Sequence, residues 1–249
     1  MFVTKSCILI YYIILFTVKA LFFSSFNKND ALRRKYHQKQ LFNISHKILK
    51  LFNIKLLSDF ENQQQGVLII SNHLSWLDIF IIASRSECIF ISSKEIQETF
   101  FLGFMSAIAG TVYVDRRNFH HLNEEINKVS YCMLNGINVC LFPEATSSNG
   151  EKVLAFHNTF IQSAINIKTE ILCLVINFLE IDGEKISSNN KDKVFWYGKM
   201  RFLPSLFKVL KAKEIVVSLE QVGFSRESQD RKILSKNLYQ AVTDRYLPV

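Results

Sequence analysis

From residue 55 onward, short apolar runs of strand length alternate with longer amphipathic stretches, and this alternation constrains the fold more than any other feature. Val67–Ser71, Ile89–Ser92, Thr111–Val114, Asn138–Phe142, Ile171–Phe178, Val194–Tyr197 and Glu214–Leu219 read as strands. Leu77–Ser84, Lys94–Ala109, Asn118–Leu134, Thr159–Ile167 and Asp230–Tyr246 read as helices. Such alternation predicts an α/β domain, a mixed sheet flanked by helices, with its chemistry at the strand ends. No Pro/Gly/Ser-rich linker divides it, so residues 58–249 are expected to form one domain. With 49% hydrophobic residues a sizeable core is available, and 8 Gly and 3 Pro exclude a collagen-like or low-complexity chain.

Residues 6–26, SCILIYYIILFTVKALFFSSF, are almost wholly apolar. About 20 such residues cross a bilayer as a helix, and Lys19 can snorkel to an interface. No A-x-A-like cleavage site follows, so residues 1–26 read as an uncleaved membrane anchor. The chain's excess of positive charge, +8 overall, is concentrated directly behind it. Lys28, Arg33, Arg34, Lys35, Lys39, Lys47, Lys50 and Lys55 stand against the single acid Asp30. By the positive-inside rule this run holds the domain on the cytoplasmic side of a single-pass protein.

Within residues 27–57, Ala31 to about Asn53 places Leu41, Ile44, Ile48 and Phe52 at helical spacing, with Lys47 and Lys50 turned away. This basic amphipathic juxtamembrane helix can pack on the core, lie on anionic lipid, or do both. No nucleic-acid motif accompanies the charge, so nucleic acid is not an expected partner. Cys7, Cys88, Cys132, Cys140 and Cys173 stand singly in or beside apolar runs and read as buried thiols of a reducing compartment. No metal site is expected.

Two strand ends carry chemical groups. After Val67–Ile70 comes Ser71-Asn72-His73-Leu74-Ser75-Trp76-Leu77-Asp78. On one continuous helix, His73 and Asp78 would stand about 140° apart and could not meet. With His73 in the turn and Asp78 in the first helical turn, the carboxylate can fold back onto the imidazole. That bond fixes the tautomer and raises the basicity of the other ring nitrogen, as a general base acting on an alcohol requires. After Asn138–Leu141 comes Phe142-Pro143-Glu144-Ala145-Thr146-Ser147. Neighbouring strands would bring Glu144 to the same edge as His73.

The order Asn72-His73-x4-Asp78, then Val112-Tyr113-Val114-Asp115-Arg116, then Phe142-Pro143-Glu144-Ala145-Thr146, resembles the glycerolipid acyltransferase family, which includes 1-acyl-glycerol-3-phosphate acyltransferases. The resemblance spans roughly Gly66 to Leu219 and takes in Lys94-Glu95, Gly103, Gly110 and the run Gly150–Ala164. It implies an O-acyltransferase that moves a fatty acyl group from acyl-CoA or acyl carrier protein to the hydroxyl of a lysolipid. The first expected acceptor is 1-acyl-glycerol-3-phosphate, giving phosphatidic acid. His73 would be the general base and Asp78 its orienting partner. Arg116 would hold the acceptor phosphate, Glu144 would bond its glycerol part, and Thr146 and Lys94 would complete the substrate site. The acyl thioester is a co-substrate, and no cofactor is implied.

Two departures stand out. Ala145 occupies a position where the family usually has Gly, which costs about 1 kcal/mol if φ must be positive. Ile171–Ile176 lacks the proline of the family's last motif. Downstream, Trp196-Tyr197-Gly198-Lys199-Met200-Arg201-Phe202-Leu203-Pro204 is similar to the tail of lyso-ornithine lipid acyltransferases, an alternative acceptor class. It reads equally as a strand, turn and short helix. His37, His46, His120, His121 and His157 lack a matching carboxylate and read as structural or solvated. The same His/Asp pair acting on water would make a lipid or thioester hydrolase, and an inactive membrane lipid-binding module is the remaining alternative.

Overall fold

The apolar run Leu68–Ser71 is buried at every position, the pattern of a strand covered on both faces. It lies at the centre of the sheet in the computed structural model, which describes residues 2–115, 121–225 and 229–249. The strands are β1 (Ile54–Leu57), β2 (Leu68–Ser71), β3 (Ile89–Ser93), β4 (Val112–Val114), β5 (Val139–Leu141), β6 (Ile171–Ile181), β7 (Glu184–Lys185) and β8 (Ile215–Val222). Their order is β1-β8-β6-β2-β5-β3-β4, with β7 on β6. The contacts from β6 through β2, β5 and β3 to β4 are parallel, and β8 runs antiparallel to β6. The sheet is therefore mixed: the block from β6 to β4 is parallel, as strand–helix alternation predicts, and β8 with β1 runs the other way.

The helices are α1 (Phe2–Phe26), α2 (Asp30–Leu51), α3 (Leu77–Ala83), α4 (Lys94–Gln97), α5 (Phe100–Ile108), α6 (Leu122–Leu134), α7 (Ile161–Ile167), α8 (Phe202–Lys211) and α9 (Arg231–Thr243). Among the described residues, α1 is the one helix long and apolar enough to cross a membrane. It rests on the domain along one narrow face. Leu9, Phe16 and Ala20 are buried, and the Lys5 ammonium donates to Ala212 O at the end of α8 (3.1 Å). Cys7 is exposed on α1, unlike the buried Cys88, Cys132, Cys140 and Cys173. An all-round apolar helix has positions that face away from the protein, and Cys7 holds one of them.

Asn29 caps α2, its side-chain oxygen accepting from Leu32 N (3.0 Å). Asp30 pairs with Arg33 and Arg34, and Arg34 reaches across to Gly110 O (2.6 Å). Leu41, Ile48 and Phe52 are buried, so this helix packs on the core. It ends at Leu51, and Ile54–Leu57 leaves the juxtamembrane segment to become an edge strand parallel to β8. Asn53, in the left-handed region (φ 55°), turns the chain between them.

Three other differences have physical causes. Lys94–Ala109 breaks into α4 and α5 because Thr99 caps α5, its hydroxyl accepting from Gly103 N (3.0 Å). At Gly103 a Cβ would lie 2.2 Å from Gln97 O, so the corner requires glycine. β6 continues past Phe178 to Ile181, where Asp182-Gly183, both at positive φ, make a two-residue hairpin into β7. Val194–Tyr197 is no strand. It follows a short 3₁₀ turn at Lys191–Lys193 as irregular chain with Val194 and Phe195 fully buried. The expected start of α6, Asn118, lies outside the described residues.

Candidate active site

β2, β5 and β3 are adjacent, and the turns leaving β2 and β5 build the site. Where β2 stops, the Asn72 side chain takes over its pairing with β6: Nδ2 donates to Ile176 O (2.9 Å) and Oδ1 accepts from Ile176 N (2.8 Å). This amide substitutes for a backbone rung, and the backbone of His73 is free to turn away. His73 N then donates to Glu144 Oε1 (2.7 Å), and His73 O accepts from Ser148 N (2.9 Å). Both turns are thereby tied together.

Asp78 lies in the first turn of α3 with its carboxylate fully buried. Its Oδ2 accepts from Leu74 N (2.6 Å), Ser75 N (2.8 Å) and His73 Nδ1 (2.8 Å). A carboxylate acceptor at that distance assigns the ring proton to Nδ1 and leaves Nε2 with its lone pair. Oδ1 is buried without a hydrogen-bond partner among the described residues. One face of the imidazole stacks on Phe142 (centroids 4.0 Å apart, planes 9° apart). The side chain is 15% exposed and borders a cavity of about 310 Å³. Ser92, Ser93 and Ile96 form one wall, Ala145 and Thr146 another, and Trp196–Gly198 a third.

That third wall explains the missing strand. Trp196 N donates to Leu74 O (3.0 Å), and the Ser75 hydroxyl donates to Val194 O (2.6 Å). The Ser147 hydroxyl donates to Trp196 O. The backbone of Val194–Trp196 is thus bonded to the turns carrying His73 and Glu144, where it cannot join a sheet. Trp196 and Tyr197 are site residues that the motif reading assigned no role; their apolar and aromatic character resembled a strand.

The remaining expected site residues separate. Lys94 stands at the start of α4 and pairs with Asp115 (3.3 Å), beside the cavity wall at Ser93 and outside the lining itself. Thr146 lines the cavity. Arg116 lies outside the described residues. Glu144 is 3% exposed, and its carboxylate faces the chain's own backbone: besides His73 N, Oε2 accepts from Leu154 N (2.7 Å). Burial pushes this carboxyl up to about 7, opposed by the two N–H donors and reinforced by the nearby charge of Asp78. Both carboxylate oxygens thus have partners within the chain. They bind the His73 turn to the loop at Leu154.

Ala145 adopts φ 63°, the left-handed conformation that glycine takes without strain. We expect Ala145→Gly to raise stability by roughly 0.5–1 kcal/mol, the relief of αL strain exceeding the extra chain entropy of glycine. An urea midpoint that fails to rise would show that the turn holds alanine without cost.

The arrangement joins an imidazole oriented by a buried carboxylate with a half-apolar cavity, parts suited to taking a proton from a hydroxyl group. Comparison with known proteins gives the same class. The chain is 29% identical over 180 residues to the 1-acyl-sn-glycerol-3-phosphate acyltransferase of Neisseria gonorrhoeae, covering 71% of this chain and 68% of that one. It is 22% identical over 191 residues to the lyso-ornithine lipid O-acyltransferase of Rhizobium meliloti, covering 73% and 65%. The fold matches the crystal structure of the 1-acyl-sn-glycerophosphate acyltransferase from Thermotoga maritima with a TM-score of 0.61 at 20% identity, over 98% of this chain and 93% of that one. The family model for acyltransferases matches residues 52–177, from the end of α2 through the strand that Asn72 grips, and the chain belongs to the acyltransferase family.

Proposed function

We propose that this enzyme is a membrane-attached O-acyltransferase in which His73 Nε2 removes the proton of a lysolipid hydroxyl. The hydroxyl oxygen attacks the carbonyl carbon of an acyl thioester, carried by coenzyme A or acyl carrier protein. The carbon–sulfur bond breaks, and the thiolate leaves with a proton returned from the imidazolium. No acyl-enzyme forms. The observation that carries this reading is the 2.8 Å bond from His73 Nδ1 to the buried Asp78, which holds the base in one tautomer beside the cavity.

The acceptor we place first is 1-acyl-glycerol-3-phosphate, with Arg116 gripping its phosphate through a bidentate fork. Lyso-ornithine lipid is the second reading, favoured by the placement of Trp196–Gly198 in the cavity wall. Membranes carrying the chain, given a labelled acyl donor and each lysolipid in turn, test both. Acylation of the phosphate-bearing acceptor is expected, with weakened acceptor saturation in Arg116→Lys. Preferred acylation of the phosphate-free acceptor, unaffected by that substitution, would reverse the order. Release of free fatty acid without any acceptor would identify a hydrolase.

Attachment rests on α1, whose Val3, Ile10, Ile14, Val18 and Phe22 point outward, and on the exposed Phe100 of α5 and Leu203 of α8. The basic run behind α1 supports a domain on the cytoplasmic side as part of this reading. Carbonate washing is expected to leave the full chain in the pellet, and its release would overturn the attachment.

A further inference from the structure

Away from the catalytic cavity, α1 and α2 form the sides of an open groove of about 280 Å³. The helices form an antiparallel hairpin: Phe23 stacks on Tyr36 (centroids 3.9 Å apart), Ser24 Oγ meets His37 Nε2 (3.2 Å), and Lys47 Nζ lies 5.6 Å from the Tyr12 ring centroid. Each helix contributes one stripe. Tyr12, Leu15, Phe16 and Lys19 come from α1; Gln40, Asn43, Ile44 and Lys47 come from α2. Both sets follow the i, i+3, i+4, i+7 spacing of a single helix face. Because the helices are antiparallel, the two lysines stand toward opposite ends of the groove. Seven residues separate each from the far end of its own stripe, a rise of about 10 Å.

The polar side chains that line the groove are donors or can donate, and none is acidic. Neither lysine forms an ion pair among the described residues. The contrast with the other cation of α1 is informative: Lys5 is buried and bonded to Ala212 O, whereas Lys19 is exposed on an otherwise apolar helix. A lysine carried toward lipid is costly unless its head finds water or an anion. Across from it Gln40 supplies another donor, Lys47 does the same at the far end, and Leu15, Phe16 and Ile44 supply an apolar floor. Charge on the flanks over hydrocarbon on the floor complements a phosphate headgroup whose glycerol and first methylenes enter the groove.

We propose that the α1/α2 groove is a non-catalytic binding site for an anionic phospholipid, its two lysines, one toward each end, attracting the headgroup's negative charge from either side. This site is separate from the acceptor cavity, and its occupant is a membrane component rather than a substrate. The test uses the purified full chain in detergent, with native mass spectrometry of retained phosphatidylglycerol against phosphatidylcholine of the same acyl chains. The wild-type chain is expected to retain phosphatidylglycerol preferentially. Lys19→Gln with Lys47→Gln should lower that preference at least about tenfold, since each cation near an anionic lipid contributes about 1 kcal/mol. Lys39→Gln with Lys50→Gln, which removes two exposed lysines of α2 outside the groove, should keep it. Lys19→Arg with Lys47→Arg should keep it as well, with folding unchanged. Equal retention of the two lipids, an equal loss in the Lys39/Lys50 variant, or loss in the arginine variant would overturn the site. Displacement by millimolar inorganic phosphate would show an anion site without lipid selectivity and would also overturn it.

Discussion

With alanine at position 73, acyl transfer is expected to fall about 10²–10⁴-fold, the usual contribution of a positioned general base. The fold should survive. His73 stands in a turn whose backbone is held independently, by Glu144 Oε1 on its N–H and by Ser148 N on its carbonyl. The ring covers one face of Phe142 and fills no closed core position. Asp78 would keep two of its three donors, Leu74 N and Ser75 N, so its buried charge would not be abandoned. Asp78→Asn probes the same step more gently. An amide can still accept from the backbone and from Nδ1–H, but it lacks the charge that stabilises an imidazolium. Its effect should appear in kcat, with the apparent KM of both substrates little changed. Single-turnover measurements separate these cases from slow release. Near-normal chemistry in His73→Ala would remove the base assignment.

The features legible in the amino-acid sequence are those in which local chemistry and tertiary placement agree. Val67–Ile70 is apolar at every position and becomes the middle of a sheet covered on both faces. His73 and Asp78 are five residues apart across a strand-to-helix boundary, and the short chain between them allows few arrangements other than contact. Other elements depend on partners distant in the chain. Val194–Tyr197 has strand-like composition, yet its backbone groups are taken by Leu74, Ser75 and Ser147, residues that nothing in the local pattern connects to it. Ile54–Leu57 follows directly from a basic helix, and only β8, far along the chain, makes it a strand. Asp182-Gly183 was a readable hairpin signal: it explains why β6 outruns its apolar core. The motif order placed Glu144 beside His73. Which groups its two oxygens would meet depended on Leu154, on a loop with no periodic pattern.

Glu144→Gln is expected to damage the enzyme through the His73 turn. Two backbone N–H groups, from His73 and Leu154, point at the two carboxylate oxygens from 2.7 Å each. A carboxamide offers one oxygen and one NH₂, so one buried donor must face another, at a cost of about 1–3 kcal/mol. The His73 turn loosens, and kcat should drop at least about tenfold, since small misplacement of a reacting group is expensive in rate. A direct acceptor contact predicts the opposite division, a higher KM for the lysolipid with kcat largely retained. Stability supplies a readout independent of activity. Burial holds the folded carboxyl near 7, above its ordinary 4.5. Between those values the folded chain keeps a proton that the unfolded chain has released, so raising the pH through the window destabilises the fold. The cost is complete above pH 7 and amounts to roughly 3 kcal/mol. Glutamine does not titrate. Urea midpoints of the two proteins, followed from pH 5 to pH 8, should therefore move relative to each other, the wild type losing ground as the pH rises. Parallel profiles would mean that Glu144 is ionised throughout, with its charge fully met by the two N–H donors, and the buried proton would have to be abandoned.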